Sequence, residues 1–307
     1  MPDTSRITSH AETLIEALPY IRKYAGSTFV IKYGGHAMGN PTLTGYFAQD
    51  IVLLKMIGIN PVVVHGGGPQ IGKMLDRLGI KTRFINGLRV TDHETAKIAE
   101  MVLAGSINKE ISGAINRAGG RAVGITGKDS KLVTARKITR NQPAEGSMIE
   151  QVTDLGFVGE PETIDTSVLD LMNKSNVIPV IAPVASDEKG DTYNINADTM
   201  AGAIAGAMKA QRLFLLSDVP GVQDKDGKLL TGLNSKEIIA LIDDGTIRGG
   251  MIPKVKTCLA ALDQGVSACT IIDGRVQHAI LLEIFTNEGS GTLMRGKPST
   301  STKSGFA

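Results

Sequence analysis

The sequence predicts an α/β protein: a three-layer αβα sandwich with a mainly parallel central sheet, two lobes and an added N-terminal helix. Two observations carry this. Short apolar runs, Thr28–Lys32 (TFVIK) and Pro61–Val64 (PVVV), each end in glycines and precede segments with apolar residues at helical spacing. This strand–glycine–helix unit occurs twice in succession and its pattern returns in the second half, which is how parallel sheets with helices on both faces are built. The chain has 307 residues, 42% hydrophobic and 21% charged, enough for one large domain or two lobes with ordinary cores.

In chain order, residues 6–25 read as a helix with an apolar stripe of Leu14, Ile15, Leu18 and Ile21; Pro19 predicts a kink or break in it. After the first strand a helix spans Gly45–Ile57, with Phe47, Ile51 and Leu54 on one face. The second strand runs into Gly66-Gly67-Gly68, and Pro69 suits the first turn of the next helix. A long helix is expected over Asp92–Arg117. Short strands at Arg121–Ile125, Lys131–Lys137 and Gln151–Val158 read as hairpins added to the parallel sheet. Val177–Ala182 is a buried strand, and the polar run Ser186–Asp191 marks a surface crossing between lobes. The second half repeats the pattern: helix Ala197–Lys209, strand Arg212–Leu216, helices Ser235–Ile242 and Pro253–Gln264, strand Ala268–Ile272. The tail after Arg295 is polar and reads as disordered. The expected division is therefore 1–25, 26–190, 191–295 and a tail 296–307.

Composition removes several function classes. A net charge of +2 without a basic run gives no reason to propose nucleic acid. Cys258 and Cys269 form neither a disulfide framework nor a metal site and read as buried thiols of a reducing compartment. No segment approaches the roughly 20 apolar residues of a membrane span, and the N-terminus lacks a signal-peptide core. A soluble cytoplasmic protein is the expectation, or an organellar one whose transit peptide is absent.

The glycines at the strand ends leave backbone N–H groups open at helix N-termini, a natural cradle for phosphate or carboxylate. Tight strand-to-helix turns also need glycine, so one such loop says little. Two on successive strands open on the same sheet edge, where α/β proteins bind ligands. A P-loop is excluded, because Gly127-Lys128-Asp129 lacks the Ser/Thr and the spaced glycine. A dinucleotide fingerprint is excluded too, because Ile71 stands where its third glycine belongs.

Polar residues cluster beside these loops. Lys32 ends the first strand; it is either a solvated lysine or a cation at the cradle. Arg89 (NGLRVT) is either a surface ion-pair partner or the bidentate holder of a carboxylate. In Tyr193–Asp198 (YNINAD), Asn196 reads as a helix cap and Asp198 as a first-turn carboxylate, leaving Asn194 as the better ligand candidate. Lys254 (GGMIPKV) sits just inside a helix start, where a cation opposes the dipole, so function explains it better than helix stability. Ser217–Val222 is a nucleotide-holding loop or simply a turn. The histidines, including His65, show no ligand spacing and read as packing or hydrogen-bonding residues.

Six motifs occur together and in order: VIKYGG (Val30–Gly35), VVHGGG (Val63–Gly68), NGLRVT (Asn86–Thr91), NINAD (Asn194–Asp198), LLSDVPGV (Leu215–Val222) and GGMIPKV (Gly249–Val255). Over roughly Gly26–Met294 the chain resembles the amino acid kinase family, specifically its acetylglutamate kinases of the arginine-inhibited, hexameric type. The resemblance implies ATP-dependent phosphorylation of the γ-carboxylate of N-acetyl-L-glutamate, the second step of arginine synthesis, with Mg²⁺ carried by the nucleotide and no protein-bound metal. It implies that Lys32 and Lys254 stabilise the transferring phosphoryl group and that Asp198 orients them. Gly34, Gly35, Gly67 and Gly68 would supply backbone donors, the first two on the nucleotide side and the last two on the substrate side. Arg89 and Asn194 would hold the acetylated amino acid. Asp218, Val219, Gly221, Val222, Gly249, Gly250 and Met251 would border the nucleotide. The segment His278–Phe285 with Gly289 resembles the C-terminal signature of arginine-inhibited relatives, which implies an L-arginine site at Tyr20, His278, Glu283 and Gly289 and a homohexamer joined through N-terminal helices. A silent amino-acid sensor of the same fold is the rival, and the joint presence of Lys32, Lys254 and Asp198 speaks against it.

Overall fold

The elements, in chain order, begin with α1 (Thr4–Tyr24), β1 (Thr28–Tyr33), α2 (Pro41–Met56), β2 (Asn60–His65), α3 (Gly68–Arg77), β3 (Phe84–Ile85), β4 (Leu88–Arg89) and α4 (His93–Glu100). A π-helical segment (Met101–Ile107) leads into α5 (Asn108–Arg117), β5 (Ala122–Thr126), β6 (Val133–Pro143), β7 (Glu150–Ile164), α6 (Ser167–Lys174), β8 (Ile178–Ala182), β9 (Val184–Ser186) and β10 (Thr192–Ile195). The chain closes with α7 (Ala197–Ala207), β11 (Arg212–Ser217), β12 (Gly232–Asn234), α8 (Ser235–Asp243), α9 (Met251–Asp263), β13 (Ala268–Asp273), α10 (Ala279–Phe285) and β14 (Thr292–Arg295). This computed structural model describes residues 4–35, 38–85, 88–143, 150–286 and 289–296; His36, Asn86, Gly87 and the tail from 297 lie outside them.

One eight-stranded sheet runs through both halves in the order β12-β14-β13-β11-β1-β2-β8-β5. Its pairings are parallel except β13 with β14. Side chains alternate across a strand, so the central strands feed two cores. Phe29, Ile31 and Tyr33 face one core together with Phe47, Ile51 and Leu54 of α2. Val30, Val62 and Val64 face the other with Met200 and Ile204 of α7 and Val255 of α9. These residues are nearly all fully buried, each stabilising the fold by about 1.5–3 kcal/mol. That arrangement is the predicted three-layer sandwich.

Four expectations need correction. Pro19 does not break α1, which continues through it; Pro19 is exposed, so the carbonyl it cannot bond is open to water. The long helix is three segments, with the middle one wound as a π-helix. Only β5 joins the main sheet; β6, β7, β9 and β10 close into a separate four-stranded barrel. Ser186–Asp191 is the turn of the antiparallel β9–β10 hairpin, where Asp187 accepts from the Lys189 and Asp191 N–H groups at 2.9 Å each. No helix among the described residues is long and apolar enough to cross a membrane.

Candidate active site

Two buried charges, Lys32 and Asp198, and the half-buried Lys254 meet where β1, α7 and α9 converge. Lys32 is the fifth residue of β1, and its Nζ lies 3.1 Å from Asp198 Oδ1. Lys254, in the first turn of α9, donates to Asp198 Oδ2 at 2.7 Å. Asp198 sits in the first turn of α7, whose cap is Asn196 as predicted: its Oδ1 accepts from the N–H groups of Asp198 and Thr199 at 2.9 and 3.1 Å. Burial acts to raise the Asp198 carboxyl, but Lys32 and Lys254 outweigh it and hold the group below its ordinary value. Burial pushes Lys32 down, Asp198 opposes this, and Lys254 adds to the lowering. One carboxylate thus faces two ammonium groups, leaving a net positive charge inside the protein that an anionic ligand can neutralise.

The glycine loops form the wall above this group. Lys32 folds over Gly34, where a Cβ would lie 2.6 Å from its Nζ. The two loops are tied together by the Gly66 N–H, which donates to Tyr33 O at 2.8 Å. Gly67 caps α3, and its Cα presses against the π segment: a Cβ there would come within 2.5 Å of Leu103 and 2.6 Å of Ile107. The N–H groups at the start of α3 have no intrahelical acceptor and favour an anion. Arg89 is buried; it donates to Gly68 O at 2.9 Å and to Thr82 Oγ1 at 2.8 Å, and stacks on Phe84 at 4.6 Å. A cavity of about 230 Å³ lies between these parts, lined by Lys32, Gly67, Gly68, Arg89, Asn194 and Asp198 among others. Asn194 enters it from β10, positioned by pairing with Val158 of β7 and Val184 of β9.

Of the residues expected beside the nucleotide, Gly35 lines the cavity, whereas Gly34, Asp218, Val219, Gly221, Val222, Gly249, Gly250 and Met251 do not. Gly35 nevertheless faces Asp218: a Cβ on Gly35 would stand 3.8 Å from the Asp218 N–H nitrogen. Val222 is buried and its N–H donates to Thr292 Oγ1 at 2.8 Å, so its side chain belongs to the core. The residues expected at the C-terminal site divide. Tyr20, Glu283 and Gly289 line a second cavity of about 540 Å³ with Lys23, Arg212 and Arg295. His278 lies at the other end of α10, bonded to Asp50 at 2.5 Å. Glu283 already pairs with Arg212 at 3.0 Å and accepts from the Ser290 N–H at 2.8 Å.

Sequence reasoning missed the apolar lining from Phe84, Leu103, Val158 and Ile195. The sequence pattern reads Leu103 as part of an ordinary helix, and the π winding of Met101–Ile107, which packs Leu103 on Gly67, has no local signal. Val158 and Ile195 alternate as strand residues do, but which cavity they face follows only from the barrel closure.

The family model described as the amino acid kinase family matches residues 27–273. The chain is 62% identical over 293 residues to the acetylglutamate kinase of Rhizorhabdus wittichii, covering 95% of this chain and 97% of that one. It is 63% identical to the acetylglutamate kinase of Sphingopyxis alaskensis, covering 96% of each. Among solved structures it resembles N-acetylglutamate synthase of Neisseria gonorrhoeae in complex with coenzyme A and N-acetyl-glutamate, with a TM-score of 0.81 and 27% identity. That match covers 93% of this chain and 63% of the longer one. The same synthase in complex with coenzyme A and L-arginine matches with a TM-score of 0.78 and 25% identity.

Proposed function

This chain belongs to the amino acid kinase family and is a kinase, and from that premise we propose that its cleft transfers the γ-phosphoryl group of ATP to the γ-carboxylate of N-acetyl-L-glutamate. The supporting observation is the placement of Lys32 and Lys254 on one buried carboxylate at the floor of a cavity whose wall is a glycine-loop helix start. The strand and loop residues of 26–190 hold the acetylated amino acid through Arg89, Gly67, Gly68 and, from β10, Asn194. Residues 191–295, with Gly34 and Gly35, hold the nucleotide along Asp218–Val222 and Gly249–Met251. Mg²⁺ arrives with ATP as part of that substrate. The setting is the cytoplasm, where the buried, unbridged Cys258 and Cys269 stay reduced.

Each residue has a physical task. A side-chain carboxylate with pKa about 4.3 is ionised at neutral pH, so no general base is required. Its oxygen forms the new bond to phosphorus while the bond to the β,γ-bridging oxygen breaks, giving ADP and N-acetylglutamyl 5-phosphate. Charge builds on the equatorial and leaving oxygens, and Lys32 and Lys254 neutralise it. Asp198 holds both ammonium groups in place before substrate arrives, so little reorganisation remains.

L-arginine inhibits this reaction in the same proposal. Its site is the cavity at Tyr20, Glu283 and Gly289, and its guanidinium shares or displaces the Arg212 contact to Glu283. His278, bonded to Asp50 at the far end of α10, does not line that cavity. Leu14, Ile15 and Leu18 are 71%, 68% and 42% exposed, an apolar stripe that joins dimers into a hexamer. The synthase structure with L-arginine supports this reading by likeness of fold. The test is ATP-dependent phosphorylation with hydroxylamine trapping of the acyl phosphate. N-acetyl-L-glutamate should be the preferred acceptor, and faster turnover of glutamate, aspartate or UMP overturns the assignment.

A further inference from the structure

His65 ends β2 directly before the glycine loop, and it is fully buried. The mechanism above gives it no task. Its Nε2 lies 3.2 Å from Asn108 Nδ2, and its Nδ1 lies 2.8 Å from Gly66 O. The Asn108 amide can stand in only one orientation. Its nitrogen also donates to Val180 O at 2.8 Å, and its oxygen accepts from Lys109 Nζ at 3.2 Å. An amide nitrogen only donates, so Nε2 of His65 must accept. The ring proton therefore sits on Nδ1 and is donated to Gly66 O.

That hydrogen bond has a consequence one bond further on. The Gly66 carbonyl and the Gly67 N–H belong to one planar trans peptide and point in opposite directions. With the carbonyl held toward the buried ring, the Gly67 N–H is turned away from the ring, and Gly67 itself lines the cavity. The Gly66 N–H is pinned separately on Tyr33 O, and Leu103 and Ile107 press on Gly67 from the π segment. Asn108 is the residue that follows this segment, so one irregular stretch touches the loop directly and again through His65.

We infer that His65, held as its Nδ1–H tautomer by Asn108, is a positioning residue that aims the Gly67 N–H at the transferring phosphoryl group. The inference rests on the proposed phosphoryl-transfer reading of the cleft. Burial supports it, because it pushes the imidazole down to about 4 and keeps it neutral across the working range.

Two near-isosteric variants separate positioning from packing. Asparagine places its amide nitrogen near the former Nδ1 and can still donate to Gly66 O. Glutamine places its terminal amide near the former Nε2, keeping the Asn108 contact and losing the one to Gly66. His65→Gln should lower kcat by about 10-fold to 10²-fold, approaching the loss of a backbone donor, with both KM values within about 3-fold. His65→Asn should recover most of that loss although it forfeits the Asn108 bond. Equal kcat in the two variants, or a change carried by KM alone, overturns the inference. If neither variant folds, ¹⁵N NMR of the wild-type imidazole decides: a proton on Nδ1 supports it and a proton on Nε2 overturns it. Wild-type enzyme without acyl phosphate formation would remove the phosphoryl-transfer reading and this inference together. Active wild type with an equally fast His65→Gln removes the inference alone.

Discussion

Lys254 Nζ meets Asp198 Oδ2 at 2.7 Å, an ion pair that joins the first turns of α9 and α7. A lysine in a first turn opposes its own helix dipole, and the carboxylate in the neighbouring first turn offsets that cost. The same carboxylate meets Lys32 at 3.1 Å, so one aspartate fixes two cations that arrive from a strand and a helix far apart in sequence.

Alanine at Lys32 or at Lys254 should lower kcat by about 10²-fold or more, as lost transition-state charge stabilisation does. Steady-state kinetics with N-acetyl-L-glutamate and ATP checks this. Near wild-type kcat in both variants would refute the catalytic roles.

Asp198→Asn should shift the alkaline limb of the kcat profile to lower pH. Burial lowers Lys32 and Lys254 repels its charge, while Asp198 raises it. Without that carboxylate only the weaker influence of Asp218 opposes burial and Lys254, so Lys32 loses its proton at a lower pH than in the wild type. A pH–rate profile with an unmoved alkaline limb contradicts this.

Arg89→Ala should act mainly on KM for the carboxylate substrate, raising it about 10-fold or more with a smaller effect on kcat. Arg89→Lys should restore little, because the guanidinium uses two separate nitrogens to hold Thr82 and Gly68 O. Kinetics of both variants, compared at saturating ATP, provide the check.

Asp50 should make the fold less stable as pH rises from about 4 to about 6. Burial raises its carboxyl to about 6, against the opposing hydrogen bond from His278. In that window the folded state binds the proton that the unfolded state has lost, so stability falls with rising pH. Thermal unfolding of wild type and Asp50→Asn across the window should show the wild type losing ground relative to the variant. Parallel curves would show that Asp50 titrates at its ordinary value.

Deleting residues 1–25 should leave active dimers with much weaker L-arginine inhibition. The paired charge substitution Leu14→Glu and Ile15→Glu should have the same effect on assembly without loss of subunit stability, because both side chains are exposed. Light scattering and inhibition curves measure the outcome. A truncated protein that stays hexameric and fully arginine-sensitive shows that the helix does not perform this role.

The sequence by itself determined the strand–glycine–helix order, the two-faced sheet and the individual polar residues that border the glycine loops. Those features are local: alternation of Val30 and Ile31 sends side chains to opposite faces, glycines mark where a backbone must approach closely, and Asn196 caps the helix that carries Asp198. The convergence of Lys32, Asp198 and Lys254 was legible only through the resemblance of six ordered motifs, since no spacing rule brings residues so far apart to one point. What the tertiary structure decided is the rest of the cavity. The hairpin of β6 and β7 closes with β9 and β10 into a barrel instead of extending the sheet. His278 is drawn to Asp50 while Glu283, seven residues from Ser290, turns to Arg212. His65 acquires one tautomer from an asparagine that no periodicity links to it. In each case the deciding partner lies far away along the chain. Burial favours a partner for each polar group, and only the packed fold determines which one is within reach.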